Sequence, residues 1–265
     1  MTDTMTQAVL FEKRADRIAL VTLNRPDNRN SMTDDLLGGL ADAVSAVRAD
    51  RELRCVVITG SGNTFCGGAD FRSNAQRGDA ALQPNERSFA MYQPFLSVLE
   101  IEIPVIGALN GHAVGGGMGL ALVCDLRVAN QDAKYGVNFA RLGIHPGMAA
   151  TWLLPRIVGM PRAAELLFTG RLVSGREAAD AGLMNHAVAA EDVLPRAMEL
   201  AGEIAANAPV AVRWTKRSLY EHADWRPQPA AWAEAALQAR TLEMADAEEG
   251  IGALLEKRPP KFTGR

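Results

Sequence analysis

Apolar positions recur along the chain in two rhythms. Between residues 18 and 129, apolar runs of five or six residues alternate with stretches of helical period; beyond about residue 147 only the helical period persists. Ile18-Ala-Leu-Val-Thr-Leu23 reads as a strand ended by Asn24-Arg25-Pro26, because proline has no N–H for a ladder. Thr33 is placed to cap a helix running to about Asp50, with Asp34 and Asp35 in the first turn, where the dipole favours them. Arg54-Cys-Val-Val-Ile-Thr59 is apolar on both faces, the mark of a buried parallel strand. A helix is expected over 86–99, a strand over 104–109, a short apolar helix ending at Val123 and a strand over 125–129. The polar stretch from Gly68 to about Asn85 has weak period and yields no element. Strands alternating with helices predict an α/β fold with largely parallel strands. The alanine-rich remainder, including helices over 210–220 and 230–249, offers no further strand. The expected division is an α/β core over residues 1–200 and a C-terminal helical region over 201–265.

A chain of 265 residues buries roughly three quarters of its unfolded surface and needs neither disulfide nor metal to fold. Its net charge of -3, without a run of like charge, excludes a basic nucleic-acid footprint. Cys55, Cys66 and Cys124 show neither paired nor metal-ligand spacing, which fits a reducing compartment and no metal site. The polar start, Met1 to Ala8, lacks a signal-peptide pattern, and no apolar stretch reaches bilayer-spanning length. A cytoplasmic protein with no membrane insertion is expected.

Two glycine-rich loops, 60–68 and 110–119, each follow an apolar strand. Glycine permits positive φ and close backbone approach, and a helix start leaves N–H groups unpaired. Two such loops brought together could aim two N–H donors at one oxygen that gains negative charge, where one lost donor costs ~10²–10³ in rate. Each loop alone reads first as a tight turn. Phosphate cradles are not supported: no G-x-x-x-x-G-K-[ST] occurs, and Gly115 to Gly119 does not fit G-x-G-x-x-G.

Taken together these loops resemble the crotonase (enoyl-CoA hydratase/isomerase) superfamily. Phe65-Cys-Gly-Gly-Ala-Asp70 is similar to its F-x-x-G-x-D element and Asn110-Gly-His-Ala-Val-Gly-Gly-Gly117 to its N-G-x-A-x-G-G-G element. Leu23-Asn-Arg-Pro26 with Asn30, Cys124-Asp-Leu-Arg127, Leu154-Pro-Arg-Ile-Val-Gly159 and Glu256-Lys-Arg258 with Phe262 follow in family order. The resemblance implies a spiral of ββα units with a C-terminal helical trimerisation region, assembled as a homotrimer or dimer of trimers. It implies an oxyanion hole from the N–H groups of Ala69 and Gly116, and an acyl-CoA substrate with no separate cofactor. The adenine end of CoA would lie near Asp27, Asn28, Arg29, Gly67, Gly68 and Ala69. Lys257, Lys261 and Phe262 would help from the C-terminal segment, often across a subunit boundary; the two lysines read equally as a solvated tail.

The chain departs from the family's hydratases at both glutamates that act as acid and base on water. Gly119 stands at the first position and Phe139 at the second, and no Asp or Glu occurs from Ala133 to Thr151. His145 could move a proton near neutral pH, or could be a turn residue bonded to backbone. His112 lies in the oxyanion loop and is expected to point away from it. Asp70 reads as a cap, Asp125 as a backbone anchor, and Cys66 as a reactive thiol or a small spacer. Phe139, Trp152, Met118 and Met148 could line an acyl pocket or belong to the core. Three readings remain: a hydratase/isomerase-like enzyme that stabilises a thioester enolate, an acyl-CoA binder without turnover, and a scaffold.

Overall fold

The computed structural model describes residues 7–70 and 83–265. The expected polar stretch between Gly68 and Asn85 falls mostly outside them. Among the described residues ten strands form two sheets. The large sheet has the order β1 (Val9–Lys13), β2 (Ile18–Leu23), β3 (Cys55–Gly60), β5 (Val105–Leu109), β7 (Leu126–Asn130), β10 (His186–Val188). It is parallel apart from the antiparallel β1–β2 pair. The small sheet runs β4 (Thr64–Cys66), β6 (His112–Val114), β8 (Lys134–Gly136), β9 (Val173–Ser174). In each of the pairs β3/β4, β5/β6 and β7/β8, one strand joins each sheet before the chain moves on. These are the ββα units expected from the resemblance.

The apolar runs are buried on both faces because two clusters sandwich the large sheet. Val56 and Ile58 face one cluster with α1 (Asp34–Ala49), which buries Leu36, Leu37, Leu40, Ala43, Val44 and Val47 at helical spacing. Cys55 and Val57 face the other cluster with Val193, Ala197, Ala201 and Ala205 of α7 (Val193–Ala205). The expected boundary at residue 200 therefore lies inside a helix whose small-residue stripe packs on the sheet.

α2 (Pro84–Leu96) packs against α1 and against α3 (Gly116–Val123). Then come α4 (Ala150–Val158), α5 (Met160–Thr169) and α6 (Gly175–Asp180). α8 (Pro209–Glu221) docks through Asp125, which accepts the Val105 N–H at 2.7 Å, Lys216 Nζ at 2.7 Å and the Tyr220 hydroxyl at 2.6 Å. Asp125 is thus the backbone anchor anticipated, and it also anchors a helix. α9 (Pro227–Leu242) and α10 (Ala245–Glu256) complete the chain.

Several expectations fail locally. The helix over 230–249 is two helices, because Met244 turns extended (φ -88°, ψ 149°). Strands β9 and β10 do form after residue 147, at lengths of two and three residues that carry no period. Thr33 precedes α1, yet its hydroxyl turns to Asp35 rather than to a helix N–H.

Candidate active site

Parallel pairing of β4 with β6 (Thr64 opposite His112, Cys66 opposite Ala113) makes the two glycine loops leave the small sheet side by side. Gly68 is where they meet. Its φ is +85°, and a Cβ there would lie 2.6 Å from Val114 O and 3.0 Å from Gly116 N. Only glycine satisfies both the backbone and the contact. On the other flank the Met32 N–H donates to Gly68 O at 2.9 Å, and the Gly67 N–H donates to Arg29 O at 2.9 Å. Asn30, fully buried at φ 52°, fixes the turn: its Oδ1 accepts from the Arg25 N–H, and its Nδ2 donates to Ser61 O and Thr64 O. Arg29 therefore stands beside Gly67, with Asp27 and Asn28 in the short turn before it.

Gly116 opens α3, where the first N–H groups have no intrahelical acceptor and the dipole is positive. Ala69 bridges Met32, and no group among the described residues accepts its N–H. The N–H groups of buried Gly116 and half-buried Ala69 thus have no acceptor among the described residues.

Beyond the donors the floor is apolar. A Cβ at Gly119, one turn after Gly116, would lie 2.5 Å from Met148 Cβ and 2.8 Å from its Cγ. Met148 is fully buried and, with Ala149, adopts left-handed backbone (φ 59° and 53°), a strain of roughly 1–3 kcal/mol per residue. Phe139 is half-buried against the same core. Tyr92 on α2 reaches this floor: a Cβ at Gly147 would lie 2.5 Å from its hydroxyl. Sequence reasoning missed Tyr92, and equally Met32, whose Sδ would lie 2.4 Å from a Cβ at Gly116. Tyr92 falls inside a helix that was expected, but nothing in the period marks which of its side chains meets a distant turn.

The remaining candidates separate. His145 is exposed, and its Nδ1 lies 2.7 Å from Pro146 O, the backbone-bonded turn residue. Exposed His112 accepts the Lys134 N–H at 2.9 Å across the small sheet, away from the donors. Burial pushes the Cys66 thiol up to about 12, which leaves it a spacer and no nucleophile. Met118 is core, and Trp152 is half-exposed under Arg156. Phe262 and Lys261 lie at the other end of the sheet: Arg54, just before β3, donates to Phe262 O at 2.6 Å. Six residues of β3 separate that point from the glycine loops, about 17 Å of strand. Lys257 is exposed at the end of α10. One protomer does not bring these three residues to the donors. Among the described residues no group of three or more His, Cys, Asp or Glu could hold a metal.

The family model described as enoyl-CoA hydratase/isomerase matches residues 13–265. A crotonyl-CoA hydratase of Syntrophomonas wolfei is 36% identical over 97% of this chain and 98% of its own length. A 2,3-dehydroadipyl-CoA hydratase of Escherichia coli K12 is 34% identical over 97% and 99%. The crystal structure of an enoyl-CoA hydratase from Bacillus anthracis superposes with a TM-score of 0.92 at 32% identity, covering 98% of this chain and all of that one.

Proposed function

The chain belongs to the enoyl-CoA hydratase/isomerase family, and on that footing we propose that it binds an acyl-CoA thioester and processes it through an enolate, without two-carboxylate hydration. The thioester oxygen sits between the Ala69 and Gly116 N–H groups, where negative charge is stabilised as it develops. The observation that carries this reading is the packing of Gly68, at positive φ, against the second loop, where a Cβ would lie 2.6 Å from Val114 O and 3.0 Å from Gly116 N. The occupation of the space beside Gly119 by Met148 supports chemistry other than water addition. The same occupation favours a second reading, an acyl-CoA binder without turnover.

The cluster of Asp27–Arg29 with Gly67–Ala69 supports an adenine site beside the loops. Lys257, Lys261 and Phe262 would then serve the ligand of a neighbouring copy. Exposed Trp232, Leu254 and Leu255 on α9 and α10 support assembly into a homotrimer or dimer of trimers. The reaction draws on coenzyme A alone and on no separate cofactor. Three buried free thiols fit a cytoplasmic setting, and among the described residues no helix is long and apolar enough to cross a membrane.

Calorimetric titration tests the site. Butyryl-CoA should bind at least tenfold tighter than its thioether counterpart, which has CH2 in place of the carbonyl, a difference of about 1.4 kcal/mol or more. Equal affinities would remove the carbonyl from the two donors.

A further inference from the structure

The Tyr92 hydroxyl lies along the wall that a hydratase would furnish with carboxylates. Tyr92 is half-buried on α2, which packs on α3, the helix that Gly116 opens. Its hydroxyl rests on Gly147, and Met148, next in the chain, covers Gly119. Gly119 follows Gly116 by one turn, about 4.5 Å along the axis. Hydroxyl, turn and oxyanion donor are therefore contiguous.

No group among the described residues hydrogen-bonds to Tyr92 Oη. A half-buried phenol O–H that no described residue engages is left for water or a ligand. Among the described residues of the 133–151 segment, no side chain competes with it on this wall. Residues 133–151 hold no carboxylate, and the His145 ring is exposed and engaged with Pro146 O.

We propose that Tyr92 is the catalytic proton donor of this site, giving its hydroxyl proton to the α-carbon of a thioester enolate held by Ala69 and Gly116. The inference rests on the acyl-CoA reading above. The Tyr92 O–H bond breaks as a C–H bond forms at the α-carbon. The enolate supplies the electron pair, its carbonyl re-forms, and the phenolate recovers a proton from solvent. In reverse, the phenolate takes an α-proton, which is lost to solvent when the phenol is renewed. The ligand class is an acyl-CoA with hydrogen on its α-carbon.

The test is α-hydrogen exchange of butyryl-CoA in deuterium oxide, followed by mass spectrometry, with binding measured calorimetrically in the same samples. Tyr92→Phe keeps the ring and removes the proton, and should bind butyryl-CoA like the wild type. It should exchange at least 10²-fold more slowly, within the usual range for general acid–base catalysis. Unchanged exchange in Tyr92→Phe, or wild-type protein that binds without exchanging, overturns the role of Tyr92 and leaves the binding reading intact. Failure of wild-type protein to bind butyryl-CoA overturns the acyl-CoA reading itself. Tyr92→Leu, with a midpoint of thermal unfolding for each variant, separates loss of the proton from loss of the fold.

Discussion

Met148 lies over Gly119 so closely that a side chain at 119 and the side chain at 148 exclude one another: a Cβ at 119 would sit 2.5 Å from Met148 Cβ. The position where the family resemblance implies a first carboxylate is therefore closed to a side chain, because a buried neighbour occupies its space. Gly119→Glu should cost about 1–3 kcal/mol through overpacking. Met148→Gly in the same chain vacates the space and suits the left-handed φ of 59°, so the double variant should recover most of the loss. Urea unfolding of the wild type and both variants checks this. A Gly119→Glu protein as stable as the wild type would mean the two side chains do not compete.

Gly68 supports the second prediction. Gly68→Ala meets positive φ and two backbone atoms that cannot yield, Val114 O and Gly116 N. It should cost about 2 kcal/mol of stability. By parting the loops it should also slow thioester turnover by ~10²–10³, the effect of losing one oxyanion donor. Turnover at the wild-type rate would show that the two loops do not act on one oxygen.

The alternation of strands and helices made the α/β core legible, because β3 and β5 must be apolar on both faces to lie between two clusters. The glycine loops were legible for a similar reason: a residue such as Gly68 admits no alternative. What stayed hidden depends on contacts distant in sequence. Tyr92 meets Gly147 across 55 positions, and the three-residue strand β10 owes its place to pairing with β7, not to its own pattern. His145 looked chemical because histidine titrates near neutrality, and only its exposure and its contact with Pro146 O reveal a turn residue.

The thiols give a third prediction. Burial pushes Cys55, Cys66 and Cys124 each up to about 12. The native protein should therefore react with thiol reagents at neutral pH only as fast as it opens. Labelling is followed spectrophotometrically with and without denaturant. A thiol that reacts at once under native conditions would contradict the burial of these residues.

The C-terminal arm should release in acid. The Arg258 guanidinium, helped by the Lys261 N–H, draws Glu249 down to about 2 from its ordinary 4.5. A depressed carboxyl stabilises the form in which it is ionised. Its contribution is complete above about 4.5 and is lost as pH falls toward 2. Proteolysis of residues 257–265 should accelerate through that window in the wild type. Glu249→Gln should be cut readily already at pH 7. An arm equally protected in that variant would assign its docking to Asp246, which holds the Thr263 and Gly264 N–H groups, and to Arg54, which donates to Phe262 O.

The most direct measurement of the central claim incubates the purified protein with crotonyl-CoA in ¹⁸O-labelled water and follows the products by mass spectrometry. The account predicts that the protein binds crotonyl-CoA and yields no labelled 3-hydroxyacyl-CoA above a protein-free control. Labelled product forming in proportion to protein concentration would contradict it, because water would then be added beside Gly119, covered by Met148, and Phe139, on a segment, residues 133–151, that has no carboxylate.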